Sequence, residues 1–159
     1  MRYLFLSLSA VLLFGLGSCK NDKESEKTIR SMSAVIRRNS ADTGYTWSAA
    51  AALVTANTPY NRAVEFKGSE YGTNPTSLTM FVNNYRGAGS YSIYQGSAKQ
   101  TDSNSVSLKY MSREYTSIRG TLQILRDDAE LYIGRFDLIA ANLNDTITIN
   151  YGSFTINKK

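Results

Sequence analysis

From Ser31 onward the apolar residues fall at every second position, and that period constrains the chain more than any other feature. Val64-Glu65-Phe66-Lys67, Leu78-Thr79-Met80-Phe81-Val82, Val106-Ser107-Leu108-Lys109-Tyr110 and Ile147-Thr148-Ile149-Asn150-Tyr151 show it most clearly. Side chains on a strand point alternately to its two faces, so each segment gains one apolar and one polar face. β-Branched and aromatic residues crowd the same segments, as half-buried antiparallel strands require. Between them lie turn-forming clusters: Lys67-Gly68-Ser69, Tyr71-Gly72-Thr73-Asn74-Pro75, Arg126-Asp127-Asp128-Ala129 and Asn142-Leu143-Asn144-Asp145. The spacing leaves little room for helical crossovers between parallel strands. We therefore expect an all-β domain over residues 31–159, an antiparallel sandwich or barrel of eight or nine strands.

One stretch is ambiguous. Residues 47–56 contain an alanine run at 49–52 that favours helix by propensity, with Thr46 placed to cap it. The alternative, given the greater weight, is an extended segment whose small side chains pack beneath another sheet. Trp47, the only tryptophan, is read as a core-filling indole ahead of a ligand-stacking one. A short echo also recurs: Gly89-Ser90-Tyr91-Ser92-Ile93, Gly120-Thr121-Leu122-Gln123-Ile124, Gly134-Arg135-Phe136-Asp137-Leu138 and Gly152-Ser153-Phe154-Thr155-Ile156. Each sets two bulky side chains on one face just after a glycine. Such glycines mark bulges or close backbone approaches, and we take them as strand-opening marks on one sheet system.

Two absences narrow the chemistry. There is no histidine and one cysteine. That removes Ser-His and Cys-His nucleophile pairs, histidine-ligated zinc and any intrachain disulfide. The formal charge of +5 is modest and scattered, and does not imply nucleic acid.

The single cysteine has a position that explains it. Arg2 is followed by an apolar stretch from Tyr3 to Leu16, too short to span a bilayer and ordered like a secretory signal. It ends in Leu16-Gly17-Ser18-Cys19, which resembles a bacterial lipobox. The resemblance implies cleavage between Ser18 and Cys19 and lipidation of Cys19, so residues 1–18 are set aside as a signal peptide. Acyl chains contribute about 0.8 kcal/mol per buried CH₂, enough for several chains to hold a protein on a membrane. Residues 19–30 are charged and nearly devoid of apolar side chains, and read as a flexible tether. Its root-mean-square reach is roughly 18 Å. The Lys20-Asn21-Asp22-Lys23-Glu24 stretch also resembles, imperfectly, the acidic export signal of surface lipoproteins in Bacteroidota; a plain solvated linker is the simpler reading.

Further along, Asp42-Thr43-Gly44-Tyr45-Thr46-Trp47-Ser48-Ala49 resembles the D-x-G-x-x-W-x-A opening of a family of small Bacteroidota envelope lipoproteins of unknown function. Gly89 and Tyr91 match a later G-x-Y. Gly134, Phe136, Leu138, Ala140, Gly152 and Phe154 match a closing G-x-F-x-apolar-x-A…G-x-F hairpin. The resemblance runs over about residues 32–156 and departs from the pattern at the alanine run. It implies an all-β lipoprotein of the outer membrane, facing the periplasm or the surface, and carries no catalytic residues.

Candidate sites are few. Asp127, Asp128 and Glu130 near one turn offer oxygen ligands for calcium, but solvated acids at a hairpin tip are the commoner case. No pair of carboxylates stands out for glycosidase chemistry, so no enzyme and no cofactor is expected. Tyr85, Tyr91 and Tyr94 are candidate ligand-facing aromatics, although alternating strand tyrosines are first of all structural. Asp145-Thr146-Ile147 resembles a short O-glycosylation motif at Thr146. The expected role is a non-catalytic binding or structural module on a lipid anchor, with a glycan or an envelope protein as its partner. A glycan-binding accessory protein and a carboxylate-dependent hydrolase are the alternatives.

Overall fold

A computed structural model describes residues 30–38, 43–57, 63–95 and 104–158. Ser18, Cys19 and the tether up to residue 29 lie outside the described residues. The described chain forms ten strands and no helix: β1 (Arg30–Arg37), β2 (Tyr45–Ser48), β3 (Ala51–Asn57), β4 (Ala63–Ser69), β5 (Ser77–Val82), β6 (Gly89–Ile93), β7 (Ser105–Tyr110), β8 (Arg113–Asp127), β9 (Leu131–Ala141) and β10 (Thr146–Asn157). All pairings are antiparallel, as the alternation predicts. The order is β2-β1-β10-β9-β8-β7-β5-β4-β3, with β6 also on β8.

That order becomes simple once two breaks are seen. β2 and β3 lie at opposite ends of the sheet, yet only Ala49 and Ala50 separate them in sequence. The Ala49 N–H donates to Met32 O of β1 (2.7 Å), and the Ala50 N–H donates to Ser69 O of β4 (2.9 Å). Residues 45–57 thus form one bent strand that leaves β1 and joins β4, tying the two ends of the curled sheet together. Likewise β6 pairs with Gly120–Ile124 and β7 with Arg113–Thr116, so both occupy one position beside β8. The buried Ser117 hydroxyl bridges that break, donating to Tyr94 O (2.7 Å) and accepting from the Val106 N–H (3.0 Å). Counted this way there are eight strand positions, each beside its sequence neighbours, with the last paired to the first. Eight is the number at which side chains just fill a barrel interior.

The filling follows from the period-two pattern. Met32, Ala34 and Ile36 point inward from β1, Phe66 from β4, Leu78, Met80 and Val82 from β5, Val106 and Leu108 from β7. Trp47 is fully buried among them, its Nε1 donating to Thr76 O at 3.3 Å. The 47–56 stretch is extended, and Ala49 and Ala52 are buried where the bent strand passes from β1 to β4, whereas Ala50 and Ala51 are exposed. Gly68 belongs to the same crossing. Read from sequence as a turn, it lies inside β4, and a Cβ there would stand 2.8 Å from both Met32 Sδ and the Trp47 ring.

The glycine echoes also find their reason. Gly120 and Gly152 lie within strands rather than opening them. Gly134-Arg135-Phe136 and Gly152-Ser153-Phe154 run antiparallel in register, so Gly134 faces Phe154 and Phe136 faces Gly152. Each ring lies over the other strand's glycine, where an added Cβ would be 2.3 Å from ring carbons. This reciprocal packing lets the sheet curve tightly without a void beneath the bend.

The β7–β8 turn breaks the usual rule. Met111 and Ser112 both have positive φ (48° and 63°), where two-residue hairpins favour Asn-Gly, and the Met111 side chain is exposed. Replacing Met111-Ser112 by Asn-Gly should stabilise the domain by about 1 kcal/mol in a denaturant titration, since the strained pair has no buried contact to lose.

Candidate functional site

Three places gather aromatic or titratable groups. The first is the barrel mouth where β1 begins and the β8–β9 hairpin turns. Phe66 lies at its centre, 4.9 Å from the Phe154 ring, 5.6 Å from Tyr132 and 6.3 Å from Tyr85. Tyr85 and Tyr91 stack on one another at 5.5 Å with planes 17° apart. The Tyr85 hydroxyl donates to Asp127 Oδ2 (2.9 Å), and Asp127 pairs with Lys158, whose Nζ lies 4.3 Å over the Tyr132 ring. The Tyr91 hydroxyl accepts from the Arg86 N–H (3.0 Å) and donates to Gly87 O (2.6 Å). Burial, then the bond to Asp127, pushes the Tyr85 hydroxyl well above its ordinary pKa. Two of the three candidate tyrosines are therefore half-buried with both rings and hydroxyls engaged, closing the mouth. Tyr94 is exposed and stands apart from this cluster.

The opposite rim is a second network. The Tyr45 hydroxyl donates to Glu70, which also accepts from the Thr76 N–H (3.0 Å). That bond to Glu70, with burial, raises the Tyr45 hydroxyl to about 12. Asp145 pairs with Arg38 and accepts from the Tyr115 hydroxyl (3.2 Å), and the Arg38 bond holds its carboxyl below the ordinary range. Thr146, next to it, is exposed at the start of β10.

Asp128 belongs to the first rim, at the β8–β9 turn. Asp128 accepts from the backbone N–H groups of Glu130 and Leu131 (2.9 Å each), which with Arg126 hold it down to about 2. Among the described residues, no group of three or more Asp, Glu, Cys or His is placed to hold a metal ion.

The third place is the outer wall made by β8, β9 and β10. The ladder of β10 is irregular between Ile149 and Gly152, so Asn150 and Tyr151 together face Asp137 of β9. Tyr151 sits at φ 54°, its N–H donating to Asp137 Oδ1 (3.0 Å), and its side chain is 78% exposed. Glycine would take that conformation without strain, but the neighbouring glycine, Gly152, is held beneath Phe136. Two adjoining depressions open beside the bulge. One, of about 410 Å³, has a mostly apolar floor at Leu138 and Ile139 and is rimmed by Arg119, Thr121, Asp137, Thr148 and Asn150. The other, of about 480 Å³, is lined by Thr121, Gln123, Arg135, Asp137 and Tyr151. Arg135 Nε donates to Gln123 Oε1 at 2.7 Å.

Sequence reasoning placed no function on this wall. The available signal was a change of phase: buried positions in β10 are odd through Ile149 and even from Gly152, so a bulge must intervene. The fold sets the class of the protein as all-β and barrel-like. Comparison of the chain with protein-family models, curated proteins and solved structures finds no match.

Proposed function

We propose that the chain is a membrane-anchored envelope lipoprotein whose β domain serves as a non-catalytic binding module. The observation that carries this is Leu16-Gly17-Ser18-Cys19 at the end of the apolar leader, with the chain's only cysteine at the acylation position. The Bacteroidota lipoprotein resemblance over about residues 32–156 points the same way. Lipid attachment would place the domain on the outer membrane, facing the periplasm or the surface. β1 opens at the rim that holds Lys158 and the β8–β9 turn, so the tether would put that rim nearest the membrane.

A binding role accords with how the acids are used. Asp127, Asp128, Asp145 and Glu70 each accept bonds that shape a rim, and Asp137 supports the bulge at Tyr151. The hydrolase alternative needs two carboxylates facing across a cleft, whereas Asp137 is the one acid lining the outer-wall depressions. The glycan-binding alternative draws support from those depressions, with their exposed tyrosine, amides and hydroxyls.

Cys19→Ala tests the anchor. The variant should lose lipid labelling and remain as a precursor that keeps residues 1–18, or appear as a misprocessed soluble form. Partition of the variant into membranes at mature size would refute the assignment.

A further inference from the structure

Rows of outward side chains cross the wall in register. One runs Arg119, Ile139, Thr148, Arg37 over β8, β9, β10 and β1; two rows away runs Gln123, Arg135, Ser153, Ser33. Between them lie Thr121, Asp137 and the bulged Tyr151. Arg37, Arg119 and Arg135 are exposed, and none forms an ion pair among the described residues. Asp137 is the single opposing charge on these rows, and one of its oxygens already accepts the Tyr151 N–H. Strand spacing and rise put the arginine backbones roughly 15 Å apart, a span of several sugar rings.

We propose that the outer wall of β8, β9 and β10 binds an acidic glycan, with the Tyr151 ring against a sugar face and Arg119 and Arg135 on its carboxylate or sulfate groups. Four features favour this ligand. Three arginines with one acid call for negative charge, and guanidinium groups grip carboxylates and sulfates in pairs of hydrogen bonds. The spacing calls for a chain rather than a single small anion. Hydroxyl and amide side chains between the arginines (Thr121, Gln123, Thr148, Asn150) supply donors and acceptors for sugar hydroxyls. Tyr151 provides a flat apolar face in a backbone conformation that costs stability, and this bulky residue has no buried contact to justify it. The inference rests on the binding-module reading and gives it a ligand class.

The test uses the purified full-length lipoprotein in detergent, with polygalacturonate, polysialic acid and heparin as probes. Fully methyl-esterified polygalacturonate is the neutral counterpart, and polyphosphate is a polyanion without sugar. At least one acidic glycan should bind, with affinity falling as salt rises. The ester and polyphosphate should bind at least about tenfold more weakly. Arg119→Gln and Arg135→Gln should each cost about tenfold, the size of a lost charge-assisted hydrogen bond. Tyr151→Gly should lose at least about tenfold while melting no lower than the parent, because glycine relaxes the left-handed position. Binding loss through misfolding is thereby separated from loss of the ring. Failure of all three acidic glycans to bind, equal binding of the ester, or Tyr151→Gly with parental affinity would overturn the proposal. Polyphosphate binding as tightly as the glycans would reduce the wall to a general anion surface and overturn it too. None of these results depends on the Cys19 partition experiment, so the ligand and the anchor fail separately.

Discussion

Phe136→Ala should destabilise the domain by about 3–5 kcal/mol, the range for deleting a fully buried ring. The more telling result is its coupling to Gly152. A methyl at 152 would lie 2.3 Å from the Phe136 ring, so Gly152→Ala alone should cost about 1–3 kcal/mol through overpacking. With Phe136 already alanine, the same methyl enters vacated space. The double variant should then be only slightly less stable than Phe136→Ala, as one set of urea titrations against both singles will measure. Additive losses would show that the ring does not rest on the glycine.

Trp47→Ala should also cost about 3–5 kcal/mol, but with a local signature. The indole fills the place where the bent strand passes from β1 to β4, packed beside Gly68 and Met32. Its loss removes the support beneath Ala49 and Ala50, whose N–H groups tie the two sheet ends together. Hydrogen exchange should therefore accelerate at these two amides before it does at the long β8–β9 ladder. Trp47→Phe keeps most of the apolar volume and should lie between parent and alanine variant, because Thr76 O loses its indole donor. Uniform acceleration over all strands would contradict a seam held by Trp47.

Much of this architecture was legible in the sequence because alternation is a local signal. The inward sets on β1, β4, β5 and β7 are the apolar half of each period, and the polar turns at 70–76, 128–130 and 142–145 carry their own chemistry. What escaped was whatever depends on a second strand. Gly68 reads as a turn until Trp47 is set against it. Residues 47–56 read as a helix or as an extended segment beneath another sheet until β1 and β4 are known to take one half each of the bent strand. Gly134 and Gly152 read as two of four recurring glycine motifs, but only the register shows each phenylalanine covering the opposite glycine.

The tyrosines teach the same lesson about sites. Tyr85 and Tyr91 drew attention because they are close in sequence, and the fold turns them inward onto Phe66, Asp127 and each other. Tyr151 looked like another inward member of an alternating run. A bulge turns it to the outside, beside arginines and amides from two other strands that no local pattern connects to it.

Pairing of the first strand with the last holds the curled sheet together across the whole length of the chain and gives the arginine-lined wall its fourth strand, so it is the feature to test most directly. Ser33 and Ser153 are register partners on β1 and β10, 120 positions apart in sequence, with hydroxyls 3.4 Å apart. In a Cys19→Ser background, Ser33→Cys with Ser153→Cys leaves the introduced pair as the only thiols. Air oxidation should close an intrachain disulfide nearly completely and raise unfolding stability by about 2–4 kcal/mol. The mismatched pair Ser33→Cys with Thr148→Cys, whose backbone positions lie roughly 13 Å out of register, should stay reduced. Free thiols in the matched pair, or equal cross-linking in both, would contradict the pairing of β1 with β10 in this register.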